Sequence, residues 1–409
     1  MRNVHLQLLK GLRGRRLFRS LAAGLAVLAV AGLGGCGGGS SSSLAANQMR
    51  MTVEADPQIQ AMDPGGAPIN ALYVSIVVCD SSDHCVTVPY VEVDTGSVGL
   101  RLRYKALAGL NLQPIDLSDG GQLATCEDYL TGYAWGSVER ATVELGGETP
   151  IGVPIEVYGS GGPAPAVPAS CASLGTNSGS LLAMGGNGVL GVDAVSSFSA
   201  LYFDCTGSVC TRLSTLPKRD DVANPVSFLG ASDNNGLILT LPSIAASGVP
   251  MAQGTLTFGL DTRYDNRTTG FEAIPTDGVV DIGVTVQGQS YPNSAIDSGS
   301  NGYFGALNLP YDSATLSFTP STLQVLPITL SNGVGGQPTV AWPASIDIGN
   351  GLALQNGKAF ALDDVGAYMD TPSSILLGLP FFFGRSIAYA MSGMSSGLGV
   401  GPIVGVRQP

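Results

Sequence analysis

Val91-Glu92-Val93-Asp94-Thr95-Gly96-Ser97 stands in the first half of the chain, and Ser294-Ala295-Ile296-Asp297-Ser298-Gly299-Ser300 answers it in the second. Each is a run with apolar alternation that ends in Asp and then breaks into Ser/Thr-Gly-Ser. The alternation reads as a strand, and the Gly as a turn that another stretch of chain approaches closely. A carboxylate there sits at the end of rigid backbone. The turn frees backbone N–H groups to bond it, and the hydroxyls of Ser97 and Ser300 are placed to donate to its outer oxygen. Downstream of each Asp comes an apolar-apolar-Gly element, Gly188-Val189-Leu190-Gly191 and then Ile375-Leu376-Leu377-Gly378-Leu379-Pro380. The interval from Asp to the last Gly is 97 residues in one half and 81 in the other. The repetition predicts two similar lobes, each delivering one Asp. Facing carboxyls about 3 Å apart cannot both ionise, so they share a proton. One then acts as base towards a trapped water and the other as acid towards an amide oxygen.

Around these motifs the pattern is all-β. Val86-Thr87-Val88-Pro89-Tyr90-Val91-Glu92-Val93, Ala141-Thr142-Val143-Glu144-Leu145, Thr255-Leu256-Thr257-Phe258 and the run 279–286 read as strands. Turn signals such as Leu145-Gly146-Gly147 and Asp233-Asn234-Asn235-Gly236 separate them. The stretches 159–170 and 331–337 read as surface loops. The chain holds 57 Gly and 25 Pro and few charged helical stretches.

Histidine supply excludes the common hydrolytic alternatives. There are two, His5 and His84, so an HExxH zinc site is impossible and a Ser-His-Asp triad would rest on His84 alone, beside Cys85. Six cysteines follow Cys36: Cys79, Cys85, Cys126, Cys171, Cys205 and Cys210. In an exported chain an even count reads as disulfides, and sequence alone allows 15 pairings. The close pairs Cys79/Cys85 and Cys205/Cys210 suggest two small loops, which leaves Cys126 with Cys171. Scattered thiols without a CxxC pair argue against a metal site, so neither metal nor cofactor is expected.

The first 36 residues carry Arg2, Lys10, Arg13, Arg15, Arg16 and Arg19 without an acid, then the short apolar run from Leu21 to Val30. They end in Leu33-Gly34-Gly35-Cys36, which reads as a lipoprotein signal with Cys36 as the lipidated thiol; a plain secretory signal is the other reading. Arg15-Arg16-Leu17-Phe18 hints at a twin-arginine signal. Gly37 rather than Asp after the Cys gives no sign of inner-membrane retention. An outer-membrane anchor facing the periplasm is therefore expected, with a flexible tether over 37–65 that opens on Gly and Ser. The chain has 19 basic and 31 acidic residues, and removal of the signal leaves 13 basic residues against the same 31 acids. Such a surface repels phosphate backbones, so no nucleic-acid partner is expected. About 370 mature residues predict two units, an N-terminal β lobe over 66–235 and a C-terminal one over 236–409, in a monomer.

From about Asn70 to Met391 the chain resembles the two-lobed pepsin-like aspartic proteases. The resemblance rests on both motifs, the strand into Asp94, and the Val189-Leu190-Gly191 and Leu376-Leu377-Gly378-Leu379-Pro380-Phe381-Phe382 elements in matching order. It implies that the apolar-Gly elements pack behind the catalytic loops, and that the hydroxyls of Thr95 and Ser298 hydrogen-bond across the lobe junction. Gly254-Thr255-Leu256-Thr257-Phe258-Gly259-Leu260-Asp261 looks like the strand that opens the second lobe. Tyr133-Ala134-Trp135-Gly136-Ser137 with Val143-Glu144-Leu145-Gly146-Gly147 resembles the family's flap hairpin, which makes Tyr133 the tyrosine that closes over substrate and Tyr129 the second candidate. An ordinary half-buried hairpin aromatic is the competing reading. The chain departs from the pattern after the first motif, where Leu100-Arg101-Leu102 replaces an expected aromatic, and after the second, with Asn301-Gly302-Tyr303-Phe304. It also resembles a family of proteobacterial lipoproteins. The function implied is an envelope endopeptidase with a peptide or protein substrate, using Asp94 and Asp297 as the catalytic pair and Thr95, Gly96, Ser97, Ser298, Gly299 and Ser300 in support. The rival is a silent pepsin-fold protein that binds peptide or glycan. A structural lipoprotein whose two Asp merely cap turns is the third reading, though capping gives no reason for matching contexts.

Overall fold

The computed structural model describes residues 44–408, apart from 64, 119, 131, 199–200, 277–281, 333–340 and 356–357. The residues expected to form the signal, Cys36 and the start of the expected tether lie outside the described residues, as does most of the loop expected at 331–337. Among the described residues the chain is strand with four helices of four to six residues. None of those helices is long and apolar enough to cross a membrane.

Two large sheets hold the aspartates. Asp94 ends the strand Cys85–Asp94 in a 16-stranded sheet, and Asp297 follows the strand Gln289–Ile296 in a seven-stranded one. The local wiring is the same in both. Cys85–Asp94 runs parallel to Gly188–Val192, which is antiparallel to Val98–Arg103, which is parallel to Val153–Tyr158. Likewise, Gln289–Ile296 runs parallel to Ile375–Leu377, which is antiparallel to Tyr303–Gly305, which is parallel to Gly366–Tyr368. The repeat read in the sequence is thus a repeat of topology.

Alternation decides which way each strand faces. In Cys85–Asp94, Val88, Val91 and Val93 point into the main apolar core, so Glu92 and Asp94 lie on the opposite face. Leu100, Leu102, Leu190 and Val192 enter the same core from the neighbouring strands.

The tether expected over 37–65 is shorter than read. Gln48–Val53 is a strand with Met51 and Val53 fully buried, followed by the helix Pro57–Met62, whose N-cap Asp56 accepts from Gln58 N at 2.8 Å. That strand pairs with Leu72–Cys79 on one side and, through six register pairs, with Ala252–Phe258 on the other. The large sheet therefore runs across the border expected at 235/236, because a segment from before residue 66 is built into its middle. The stretch Gly254–Asp261, which looks like the strand opening the second lobe, overlaps the strand Ala252–Phe258, which is paired on both sides. The disulfides are Cys79–Cys85, Cys126–Cys171 and Cys205–Cys210, as read from the spacing.

Candidate active site

Each Asp is held by its own turn. Gly96 N donates to Asp94 Oδ1 at 2.8 Å and Ser97 Oγ to Asp94 Oδ2 at 2.5 Å. Gly299 N donates to Asp297 Oδ1 at 2.9 Å and Ser300 Oγ to Asp297 Oδ2 at 2.6 Å. The two turns are locked to each other by a reciprocal set of bonds. Thr95 N donates to Ser298 Oγ (3.1 Å) and Ser298 N to Thr95 Oγ1 (2.9 Å). The hydroxyls donate onward to the opposite strands, Thr95 Oγ1 to Ile296 O (3.3 Å) and Ser298 Oγ to Val93 O (2.6 Å). The buried Tyr389 hydroxyl lies 2.6 Å from Ile296 O and 3.0 Å from Thr95 Oγ1, a brace that no sequence motif announced.

The glycines make the approach possible. A Cβ on Gly96 would lie 2.7 Å from Asp297 Oδ1, and one on Gly299 would collide with the Asp94 carboxyl. Gly191 and Gly378 serve the backs of the turns: a Cβ at Gly191 would meet Val98 N at 2.6 Å, and one at Gly378 would run into Ser300 O and Gly302 O. That is the physical content of the apolar-apolar-Gly signal.

The two carboxyls lie within hydrogen-bonding reach of each other, and each is less than a tenth exposed. Burial first, and the Asp297 charge second, push the Asp94 carboxyl up to about 8, against the lowering effect of Ser97 and Gly96. Asp94 therefore holds the shared proton at neutral pH. Among the described residues no group of three His, Cys, Asp or Glu is arranged to hold a metal.

A second charged group lies on the same sheet face and was not read from the sequence as a site. Arg101, 2% exposed, bonds Glu127 at 2.7 Å and Glu156 at 2.6 Å, and also Val98 O at 3.1 Å. It stands where the departure Leu100-Arg101-Leu102 was noted. Burial pushes Glu156 up to about 7 against the pull of Arg101. Glu127 and Tyr129 alternate on one face of the strand Gln122–Tyr129, turned towards Arg101.

Tyr133 faces the other way. Its side chain is buried beside Trp135, Phe203 and the Cys126–Cys171 disulfide. Its backbone is also pinned, with Tyr133 N donating to Thr176 O and Ser178 N to Tyr133 O. The tyrosine on the Arg101 side of the hairpin is Tyr129, the second candidate, because the turn falls between Tyr129 and Gly132 and sets the alternation.

An open cavity of about 390 Å³ contains neither aspartate. It is lined among others by Arg50, Glu54, Tyr73, Tyr90 and Glu144. Tyr73 is the direct cross-strand partner of Glu92, so the cavity begins one strand away from the Asp94 strand on the same sheet face.

Fold and site together define an all-β protein in which two matching Asp-Ser/Thr-Gly-Ser turns interlock and bring their carboxyls together. A family model described as "Protein of unknown function (DUF3443)" matches residues 43–405, and the chain belongs to that family. No curated protein matches it.

Proposed function

We propose that this protein is an aspartic endopeptidase of the pepsin-like, two-lobed type, hydrolysing peptide bonds with a water held between Asp94 and Asp297. One observation carries the reading: two carboxyls within hydrogen-bonding reach, each fixed by the same Gly N–H and Ser Oγ pair in its own turn. Turns that only capped strands would have no reason to interlock around each other's side chain. In the mechanism Asp297 takes a proton from the water as the water oxygen attacks the amide carbon. Asp94, protonated, donates to the carbonyl oxygen. Collapse of the tetrahedral intermediate breaks the C–N bond as the leaving nitrogen takes a proton from the pair. The reciprocal Thr95/Ser298 bonds hold both acids still while charge moves between them. A lipid anchor on Cys36 and a place in the envelope, with no further cofactor, complete the proposal.

Digestion of a peptide library tests it. Wild-type protein should cleave, and Asp94→Asn and Asp297→Asn should each lose at least about 10³-fold in kcat/KM, the scale of acid–base catalysis. The rate should also fall as pH rises through about 8, where Asp94 gives up its proton. Binding of a pepstatin-like inhibitor without any cleavage would instead favour a silent peptide-binding protein.

A further inference from the structure

We propose that Glu92 is the specificity-determining residue of this site, and that it takes a cationic substrate side chain, lysine or arginine, next to the bond held at Asp94. The inference rests on the endopeptidase reading above. Glu92 is two residues before Asp94 on one strand, so the two side chains emerge on the same face, about 7 Å apart along the chain. The core side of that strand is occupied by Val91 and Val93.

Register shows why no cation among the described residues neutralises Glu92. Glu92 pairs with Val189, Val189 with Arg101, and Arg101 with Glu156. Direct partners share a face, so these four side chains form one row across four strands. At a strand spacing of nearly 5 Å, Arg101 stands about 10 Å from Glu92 with Val189 between them. Arg101 is moreover committed to Glu127 and Glu156. The charges felt by Glu92 are those of Asp94 and Asp297, and no cation is among them. Its carboxyl is half-buried, and desolvation, followed by those two acids, pushes it well above its ordinary value.

Two further observations place a ligand there. Tyr158, fully buried, feels Arg103 first among the charges, then Glu156, Glu92 and Arg101, yet its hydroxyl has no hydrogen-bond partner among the described residues. On the other side Tyr73 links Glu92 to the 390 Å³ cavity, whose lining carries Glu54 and Glu144 against a single Arg50. An ammonium or guanidinium group in front of Glu92 would supply the missing positive charge, draw off the carboxyl's proton and offer donors in a region rich in acceptors. An apolar side chain would leave the carboxyl desolvated and unpaired.

Two N-acetylated octapeptides, identical except for lysine or leucine beside the central bond, test this. Wild-type protein should favour the lysine peptide by about tenfold in kcat/KM, and Glu92→Gln should bring the ratio close to one. Glu92→Asp should retain part of the preference. A wild-type ratio near one, or a ratio unchanged in Glu92→Gln, overturns the inference while cleavage itself stands. Calorimetric binding to the Asp94→Asn protein gives the second arm. Tighter binding of the lysine peptide, lost in the Asp94→Asn/Glu92→Gln double variant, supports Glu92 even if wild-type protein cleaves neither peptide, in which case only the hydrolytic reading falls. Equal binding of both peptides overturns it.

Discussion

At Asp94 the protein accepts an electrostatic cost. The carboxyl keeps its proton up to about pH 8 in the folded state, whereas in an unfolded chain it ionises near 4. Between those values the folded form binds more protons, so the group's contribution is fully present below about pH 4 and is lost as pH rises through 8. Asp94→Asn removes the ionisation and keeps one acceptor oxygen, for Gly96 N or Ser97 Oγ but not both, since the two bond different oxygens. It should raise stability at pH 8 by about 2 kcal/mol, after the weakened hydrogen bonds are counted, and give no gain at pH 4. Thermal melts of both proteins at the two pH values check this, and a larger gain at pH 4 would contradict the sign. The aspartates were legible because a short motif recurs in matching context. Glu92 was in the same quoted stretch, but its meaning depends on the strand's phase and on cross-strand register, and neither is written locally. Tyr389 is farther still, 294 residues from the Thr95 it braces.

The strands around the site divide their faces sharply, and Arg101 shows the consequence. On the side away from the core, one guanidinium holds two carboxylates with almost no water, so the balance depends on all three. Arg101→Met leaves Glu156, which is wholly buried, without its cation. A loss of about 3–5 kcal/mol in urea unfolding is expected at neutral pH, shrinking in acid as Glu156 is protonated. A loss independent of pH would mean that packing, and not the buried charge, sets the effect. The hairpin teaches a related lesson about legibility. The resemblance implied a hairpin between Tyr133–Ser137 and Val143–Gly147, but most of both stretches lies in the single strand Gly132–Glu144, whose hairpin partner is Gln122–Tyr129. Which tyrosine faces the site turns on where the chain reverses, and a shift of a single residue inverts every side chain. The disulfides were readable because short spacing leaves few geometries for Cys79–Cys85 and Cys205–Cys210. The third pair followed from the remainder.

Across the whole molecule, Gln48–Val53 joins distant parts of the chain, lying between Leu72–Cys79 and Ala252–Phe258. Met49, Met51 and Val53 are buried on its core face, each adding about 2 kcal/mol. A protein truncated to begin at Glu54 should lose at least 5 kcal/mol on that scale, a large share of a typical folding free energy, and fail to give a cooperative melt. A truncated protein with an unchanged melt would show that the two flanking strands close on each other without it. The segment was read as tether because Gly and Ser dominate just before it, and six residues of alternation are a faint signal next to that composition. The same placement has a mechanical side. Any pull on the residues before Gln48 is directed along the paired strand, so its six partners in Ala252–Phe258 bear the load together and are not peeled away singly. A force applied at that end would enter the middle of the large sheet, where the paired strand takes it lengthwise.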